Sequence, residues 1–225
     1  GTKISFTGNM SSKYFDRNGE TLYEWNAAGD IKVYTLNAGG ELTQSESYSG
    51  IVPRATYRDF FFYDDDRFIG ITAANAVSMH RIVDGKLAVL SASFGTGFTF
   101  PAFVPARGYF FSMTATSGEM KTWFARNDAT WGSPNGVAVG TGFAIYNPLL
   151  MFNRQTLLGV DADGYLWSFP TSVSGVIGSK SRIGSGWNRF KKIISVGTTL
   201  FGMEGNGDFY VFENFNATDK YWVVN

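Results

Sequence analysis

The sequence contains no cysteine and a single histidine, His80. Disulfides, thiol catalysis and thiolate metal sites are thereby excluded, and a multi-histidine metal centre cannot be assembled. An excess of one charge is also lacking, since 19 Lys and Arg balance 19 Asp and Glu and the cations are scattered. Nucleic acids and anionic membranes are met by basic patches, so neither is an expected partner. No apolar run approaches membrane-spanning length. No helical period outlasts a turn. The chain opens at Gly1-Thr-Lys-Ile without the segments of a signal peptide. Asn9-Met-Ser and Asn216-Ala-Thr are glycosylation sequons, triplets short enough to arise often by chance.

What is there is a repeat. The stretch from Gly184 to Phe212 holds three β-type runs, 190–196, 199–203 and 208–212, separated by Gly197 and by Gly205-Asn-Gly207. Glycine and asparagine accept the positive φ of tight hairpins. The same hairpin mark recurs at Gly29, Asn75, Gly118 and Gly164, at spacings of 46, 43, 46 and 43 residues through to Gly207. Seven residues before the marks stand Leu22, Phe68, Phe111, Leu157 and Leu200. Two after them stand Ile31, Val77, Met120, Leu166 and Phe209; five after, Tyr34, His80, Trp123, Phe169 and Phe212. A second glycine ruler, Gly8, Gly50, Gly97, Gly142 and Gly186, precedes the marks, with a short insertion near 53–59 in the second copy. Five units fill residues 1–225, so a single domain is expected.

Each unit of about 45 residues reads as four strands, the outermost polar, which is the pattern of a β-propeller blade. Both faces of each sheet are apolar and need a neighbour on either side, so five blades must close into a ring. The expected fold is therefore all-β: a five-bladed propeller of four-stranded antiparallel blades. The outer strands of blades three and four are expected at 136–139 and 176–183, and residues 3–6 and 221–224 both map near the outer strand of blade five. That last blade is expected to hold both termini and close the ring.

Gly184-Ser-Gly-Trp-Asn-Arg-Phe-Lys-Lys-Ile, followed by a hairpin and Gly207-Asp-Phe-Tyr-Val-Phe, resembles the repeat of the tachylectin-2-like lectins. Their Asp-Asn-Trp segment is echoed by Asp128-Ala-Thr-Trp131 and Asp219-Lys-Tyr-Trp222, and Phe98 and Phe143 stand where Trp187 stands in blade five. The resemblance implies a five-bladed propeller that binds N-acetylated hexosamines between adjacent blades; a secreted or extracellular monomer without a cofactor is the accompanying expectation. It implies sites where blade three meets blade four (Asp128, Trp131, Phe143) and where blade five meets blade one (Asp219, Trp222, Asn9). Trp187 and Asn188 mark a third, between blades four and five. In these sites aromatic rings would stack on a pyranose while the polar side chains take its hydroxyls; the competing role is for the aromatics to seal blade contacts.

Two other readings stay open. The propeller is equally suited to be a protein-interaction module of a larger secreted protein, toxin or adhesin. A glycoside hydrolase would need a pair of carboxylates converging on the central channel, and Asp16 and Asp59 lie close to inner strands. His80 shares a column with aromatic residues, which points to packing. Asp64-Asp-Asp66 and Asp161-Ala-Asp-Gly164 read as turns rather than metal loops, so no metal is expected.

Overall fold

In a computed structural model covering residues 1–225, five antiparallel sheets stand side by side around a central channel. Strand β1 (Thr2–Thr7) comes first but belongs to the last blade. Blade one is β2 (Lys13–Asp16), β3 (Thr21–Trp25), β4 (Ile31–Leu36) and β5 (Leu42–Tyr48). Blade two is β6 (Tyr57–Asp64), β7 (Arg67–Thr72), β8 (Val77–Val83) and β9 (Lys86–Gly95). Blade three is β10 (Ala102–Ala106), β11 (Tyr109–Met113), β12 (Met120–Trp123) and β13 (Val137–Gly140). Blade four is β14 (Leu149–Phe152), β15 (Thr156–Val160), β16 (Leu166–Pro170) and β17 (Ser181–Ser185). Blade five takes β18 (Lys192–Val196), β19 (Thr199–Met203) and β20 (Asp208–Phe212) from the end of the chain and β1 from its beginning. The fold is the expected five-bladed propeller, and helix is confined to two single 3₁₀ turns, Phe143–Ile145 and Trp187–Arg189.

Burial follows position within the blade. β19 is buried at every residue, whereas β5 is exposed along most of its length. A second strand has blades on both sides and a strand on each edge, so water reaches neither face. All fifteen residues of the three repeat columns are buried, but in blade three the residue paired with Trp123, as Leu22 is with Tyr34, is Phe110 rather than the expected Phe111, because that hairpin is one residue longer. A further column lies inside the second strands: Glu24, Gly70, Ser112, Gly159 and Gly202. An aromatic ring lies where the missing side chain would be, Tyr57 against Gly70, Tyr146 against Gly159 and Phe190 against Gly202. Where blade one has Glu24 instead, its carboxylate is buried and accepts hydrogen bonds from Ser12 Oγ (2.6 Å) and Tyr34 Oη (2.8 Å).

The hairpin marks carry one repeated hydrogen bond. Gly29, Asn75, Gly118, Gly164 and Gly207 all have positive φ, from 59° to 91°. The carbonyl of each accepts the N–H of a residue at or just after the second ruler: Val52, Phe98, Phe143, Trp187 and Gly8 respectively. The fifth of these bonds, Gly8 N–H to Gly207 O at 2.8 Å, joins the start of the chain to the last hairpin. The N-terminus thus closes the ring.

The C-terminus does not share that role. Residues 221–224 were expected as the outer strand of blade five; instead β21 (Trp222–Val223) pairs in parallel with β17, as a fifth strand on blade four. β1 already occupies the edge of β20, so the tail turns back to the nearest free edge. The outer strand of blade four also begins at Ser181 rather than at 176, because the chain first folds back through a Thr171–Ile177 bridge.

Candidate functional site

The segment leaving a blade's third strand turns back toward the preceding blade. In blade three this turn is Arg126–Thr130, closed by Arg126 N–H to Thr130 O, and the Ala125–Trp131 bridge brings in the tryptophan. In blade four the Thr171–Ile177 bridge does the same, and in blade one Leu42 follows the matching turn at Asn37–Glu41. Trp131 therefore packs on Phe94 of blade two and on Phe98, Phe110 and Trp123, at the junction of blades two and three. Phe143 lies one junction further, buried against Tyr146 and Phe169 between blades three and four. The expected grouping of Asp128 and Trp131 with Phe143 is not formed. The same backward turn separates Trp222 and Asp219 from Asn9.

Trp222 and Asp219 instead join Trp187 and Asn188 at the junction of blades four and five, so both parts of the repeat motif meet there. The tail can lie down because β17 carries Gly184, where a Cβ would come within 2.5 Å of Trp222 O and 2.6 Å of Trp187 Nε1. Trp187 is fully buried among Phe190, Phe212 and Phe215, and its indole N–H donates to Trp222 O at 3.0 Å. Its ring is a wedge under the tail, closed to any stacking ligand. Phe143, 6% exposed, is equally closed.

Trp222 itself is half-buried. It stacks on Phe215 (centroids 4.7 Å apart, 24° between planes), and its N–H donates to Asn216 O at 2.7 Å. The opposite face is left to the Lys220 ammonium, 4.1 Å from the ring centroid and held by no ion pair. Asn216 Oδ1 accepts from Thr218 N–H and Oγ and from Asp219 N–H, while its Nδ2 donates to Asp219 Oδ2 at 3.2 Å. Asn188 is exposed beside the wedge, its side chain laid on the Gly164 hairpin. The result is an aromatic ring rimmed by an amide, a carboxylate, a hydroxyl and an ammonium. In the sequence Asn216 stands out only as part of a sequon and Lys220 not as a site residue. The signal for Asn216 is the repetition of Asp128-Ala-Thr as Asn216-Ala-Thr, which the three residues Asp219-Lys-Tyr separate from its tryptophan.

The other candidates are simpler. Asp128 is exposed and spends one carboxylate oxygen on its own turn, accepting from Thr130 Oγ (2.6 Å) and Thr130 N–H (3.1 Å). The Thr130 hydroxyl holds its pKa below the ordinary carboxylate value. Trp131 is half-buried, one face stacked on Phe98 at 5.3 Å, and its N–H has no partner within the protein. Asn9 turns inward on its own loop, Oδ1 accepting from Ser11 N–H and Oγ.

The carboxylates near the channel do not converge. Asp16 is bound by Arg107 across one mouth at 2.7 Å, and Asp59 lies 3.4 Å from Lys13 at the other. Burial raises the pKa of both, with the cations working against it. Asp64 is neutralised by Arg67 and Asp66 by Arg81, and Asp161 accepts from Asp163 N–H, Tyr165 N–H and Trp167 Nε1 within its hairpin. No group of three or more His, Asp or Glu side chains is placed to hold a metal.

No curated protein matches the sequence. Among solved structures, the chain is similar to a protein from Lactobacillus plantarum at 12% identity and TM-score 0.46, covering 92% of this chain and 72% of that one. It is similar to the Cps50 (Swd1) β-propeller domain of Myceliophteria thermophila at 8% identity and TM-score 0.49, over 94% and 99% of the two chains. It is also similar to Prp20p of Saccharomyces cerevisiae at 7% identity and TM-score 0.45, over 87% and 54%. The family model described as Tachylectin matches residues 83–225, well over half of the sequence. With five blades, the repeated hairpin bond and the glycine–tryptophan motif in place, the chain belongs to the Tachylectin family.

Proposed function

We propose that the protein is a non-enzymatic lectin that binds N-acetylated hexosamines on glycan-covered surfaces outside the cell. The observation that carries this reading is the half-buried Trp222 ring, rimmed by Asn216, Thr218, Asp219 and Lys220 beside the exposed Asn188. A pyranose presents an apolar face of C–H groups to such a ring and its hydroxyl and acetamido groups to such a rim. Lys220 would swing aside or bond a hydroxyl. Trp131, with a free indole N–H and Asp128 close in sequence, offers a second and less polar site. Shallow sites bury little of a sugar and bind weakly, so useful avidity comes from engaging two on one surface. The separation of Asp16 and Asp59, each paired with a cation, counts against glycoside hydrolysis.

The test is a glycan array followed by calorimetry with the best-binding saccharide, N-acetylglucosamine and N-acetylgalactosamine included. Binding in the millimolar to micromolar range, lost on Trp222→Ala with the fold intact, supports the reading. An array without hits turns attention to a protein partner, and turnover of an aryl glycoside would make the protein a hydrolase.

A further inference from the structure

The central channel is a second kind of site. Its two connected parts have volumes of about 550 and 410 Å³ and share Tyr14, Phe15, Phe103, Pro105, Ile193 and Ile194 as a collar. That size suits a small organic ligand. Tyr14, Phe103 and Pro105 are the part-exposed members of this collar, the side chains of Phe15, Ile193 and Ile194 being turned largely into the blade cores, and the mouths are charged. Five cations line the channel, Lys13, Lys191, Lys192, Arg107 and Arg154, against two carboxylates, Asp16 and Asp59. In a chain of zero net charge this is a marked local excess.

The two mouths differ. At one, Arg107 reaches from blade three to Asp16 in blade one and the pair bridges the opening, while Arg154 lies against Gly108. At the other, three lysines share one carboxylate. Lys13 donates to Arg58 O at 2.8 Å and lies 3.4 Å from Asp59. Lys192 donates to Ser12 O, its ammonium 5.6 Å from the Tyr14 ring, and Lys191 has no ionic partner. Around them stand Arg54, which stacks on Trp25, and the buried Glu24. Burial lowers the Lys192 pKa, and repulsion from Lys13 and Arg54 lowers it further, with Glu24 opposing. A neutralising anion at this mouth relieves that repulsion.

We propose that the channel binds an amphipathic anion, its carboxylate or sulfonate head at Lys13, Lys191 and Lys192 and its apolar body against the part-exposed Tyr14, Phe103 and Pro105 of the collar. The site is separate from the blade junctions and stands whether or not they bind sugars. The probe is 1-anilinonaphthalene-8-sulfonate, titrated into the full chain by fluorescence and calorimetry, with uncharged N-phenyl-1-naphthylamine as control. The expected result is one site per chain, with the neutral compound bound at least about tenfold more weakly and the sulfonate weakened by salt. Lys13→Gln/Lys192→Gln should weaken the sulfonate by at least about tenfold and leave the neutral compound unchanged. Ala102→Leu, at the channel wall, should reduce both. The wild-type comparison of charged and neutral probes needs no variant, so misfolding of either variant leaves the test intact. Equal binding of the two probes, several weak sites, or displacement by saturating N-acetylglucosamine would overturn the proposal.

Discussion

Two junctions of the propeller carry the family's tryptophan, and they use it differently. Between blades two and three, Trp131 meets Phe94, Phe98, Phe110 and Trp123, and Asp128 points its carboxylate at its own turn. Between blades four and five, Trp222 has one aromatic partner stacked beneath it and a rim of polar side chains around it. The backbone framework is shared, down to the bond between the hairpin mark and the residue after the second ruler. The difference is three residues of chain. Asp128-Ala-Thr leads straight into Trp131, whereas Asn216-Ala-Thr is followed by Asp219-Lys-Tyr before Trp222, and of those three Asp219 and Lys220 complete the rim begun by Asn216 and Thr218. The same ring is set among aromatics in one junction and rimmed by polar side chains in the other, according to what stands next to it.

The strongest way to break this comparison is to remove the strands that hold the two ends. Deleting residues 1–7 should open the ring, since β1 is the fourth strand of blade five and Gly8 makes the closing bond. Aggregation and loss of a cooperative melt on scanning calorimetry are the expected outcome. Deleting residues 221–225 should leave a closed, monomeric propeller with a lowered Tm and no binding at the four–five junction. If both deletions behave alike, β1 and β21 do not have the distinct roles described.

Truncating the tryptophans sharpens the contrast. Trp187→Ala removes a fully buried ring and should cost about 3–5 kcal/mol in denaturant unfolding. Trp131→Ala should cost about 2–4 kcal/mol, because the ring seals a blade contact. Trp222→Ala should cost less stability than Trp131→Ala, yet reduce saccharide affinity at least about tenfold. The reverse order of stability loss would show that Trp222, rather than Trp131, is the structural ring.

A third measurement separates pH effects on stability from those on binding. His80 is buried beside Tyr57, its Nε2 is 2.7 Å from Ser78 Oγ, and burial lowers its pKa to about 4 from the ordinary 6.5. The unfolded chain then takes up the proton first, so stability is full above pH 6.5 and falls as pH drops toward 4. Asp16, Asp59 and Asp64 have pKa values raised by burial and work in the opposite direction at the lower end of this window. The test is therefore the difference between wild type and His80→Gln: wild type should lose more stability than the variant between pH 6.5 and 4. Parallel curves would contradict this.

The smallest effects test the register that both junctions share. Gly207→Val places a β-branched residue at φ 91° and should cost more than about 1 kcal/mol, while Asn75→Gly, at φ 62°, should stay within about 0.5 kcal/mol. Equal losses would mean that the five hairpins are not equivalent.

Period, blade number and hairpin positions were legible because each is a local requirement repeated five times. Gly207 needs its φ whatever lies beyond the hairpin, and Leu200 and Phe209 must be apolar because blades flank both faces. The column of Gly70, Gly159 and Gly202 was not legible, since only the rings of Tyr57, Tyr146 and Phe190 show what those glycines make room for. The candidate site was legible in residue type and misread in grouping. Trp187, Asn188, Asp219 and Trp222 were all singled out, but assigned to two junctions instead of one.

By itself, then, the sequence determined an all-β ring of five blades with N-terminal strand and last hairpin near one another, because alternation, turn chemistry and repeat length are properties of short segments. Only the tertiary structure decided which blade each exit segment folds against. That choice depends on free strand edges. β1 satisfies the edge of blade five, so the tail pairs with β17, and Trp222 comes to rest over the buried Trp187 rather than beside Asn9. That the edge of blade five is already filled by a strand some 200 residues earlier in the chain is a long-range fact, and no local pattern around Trp222 records it.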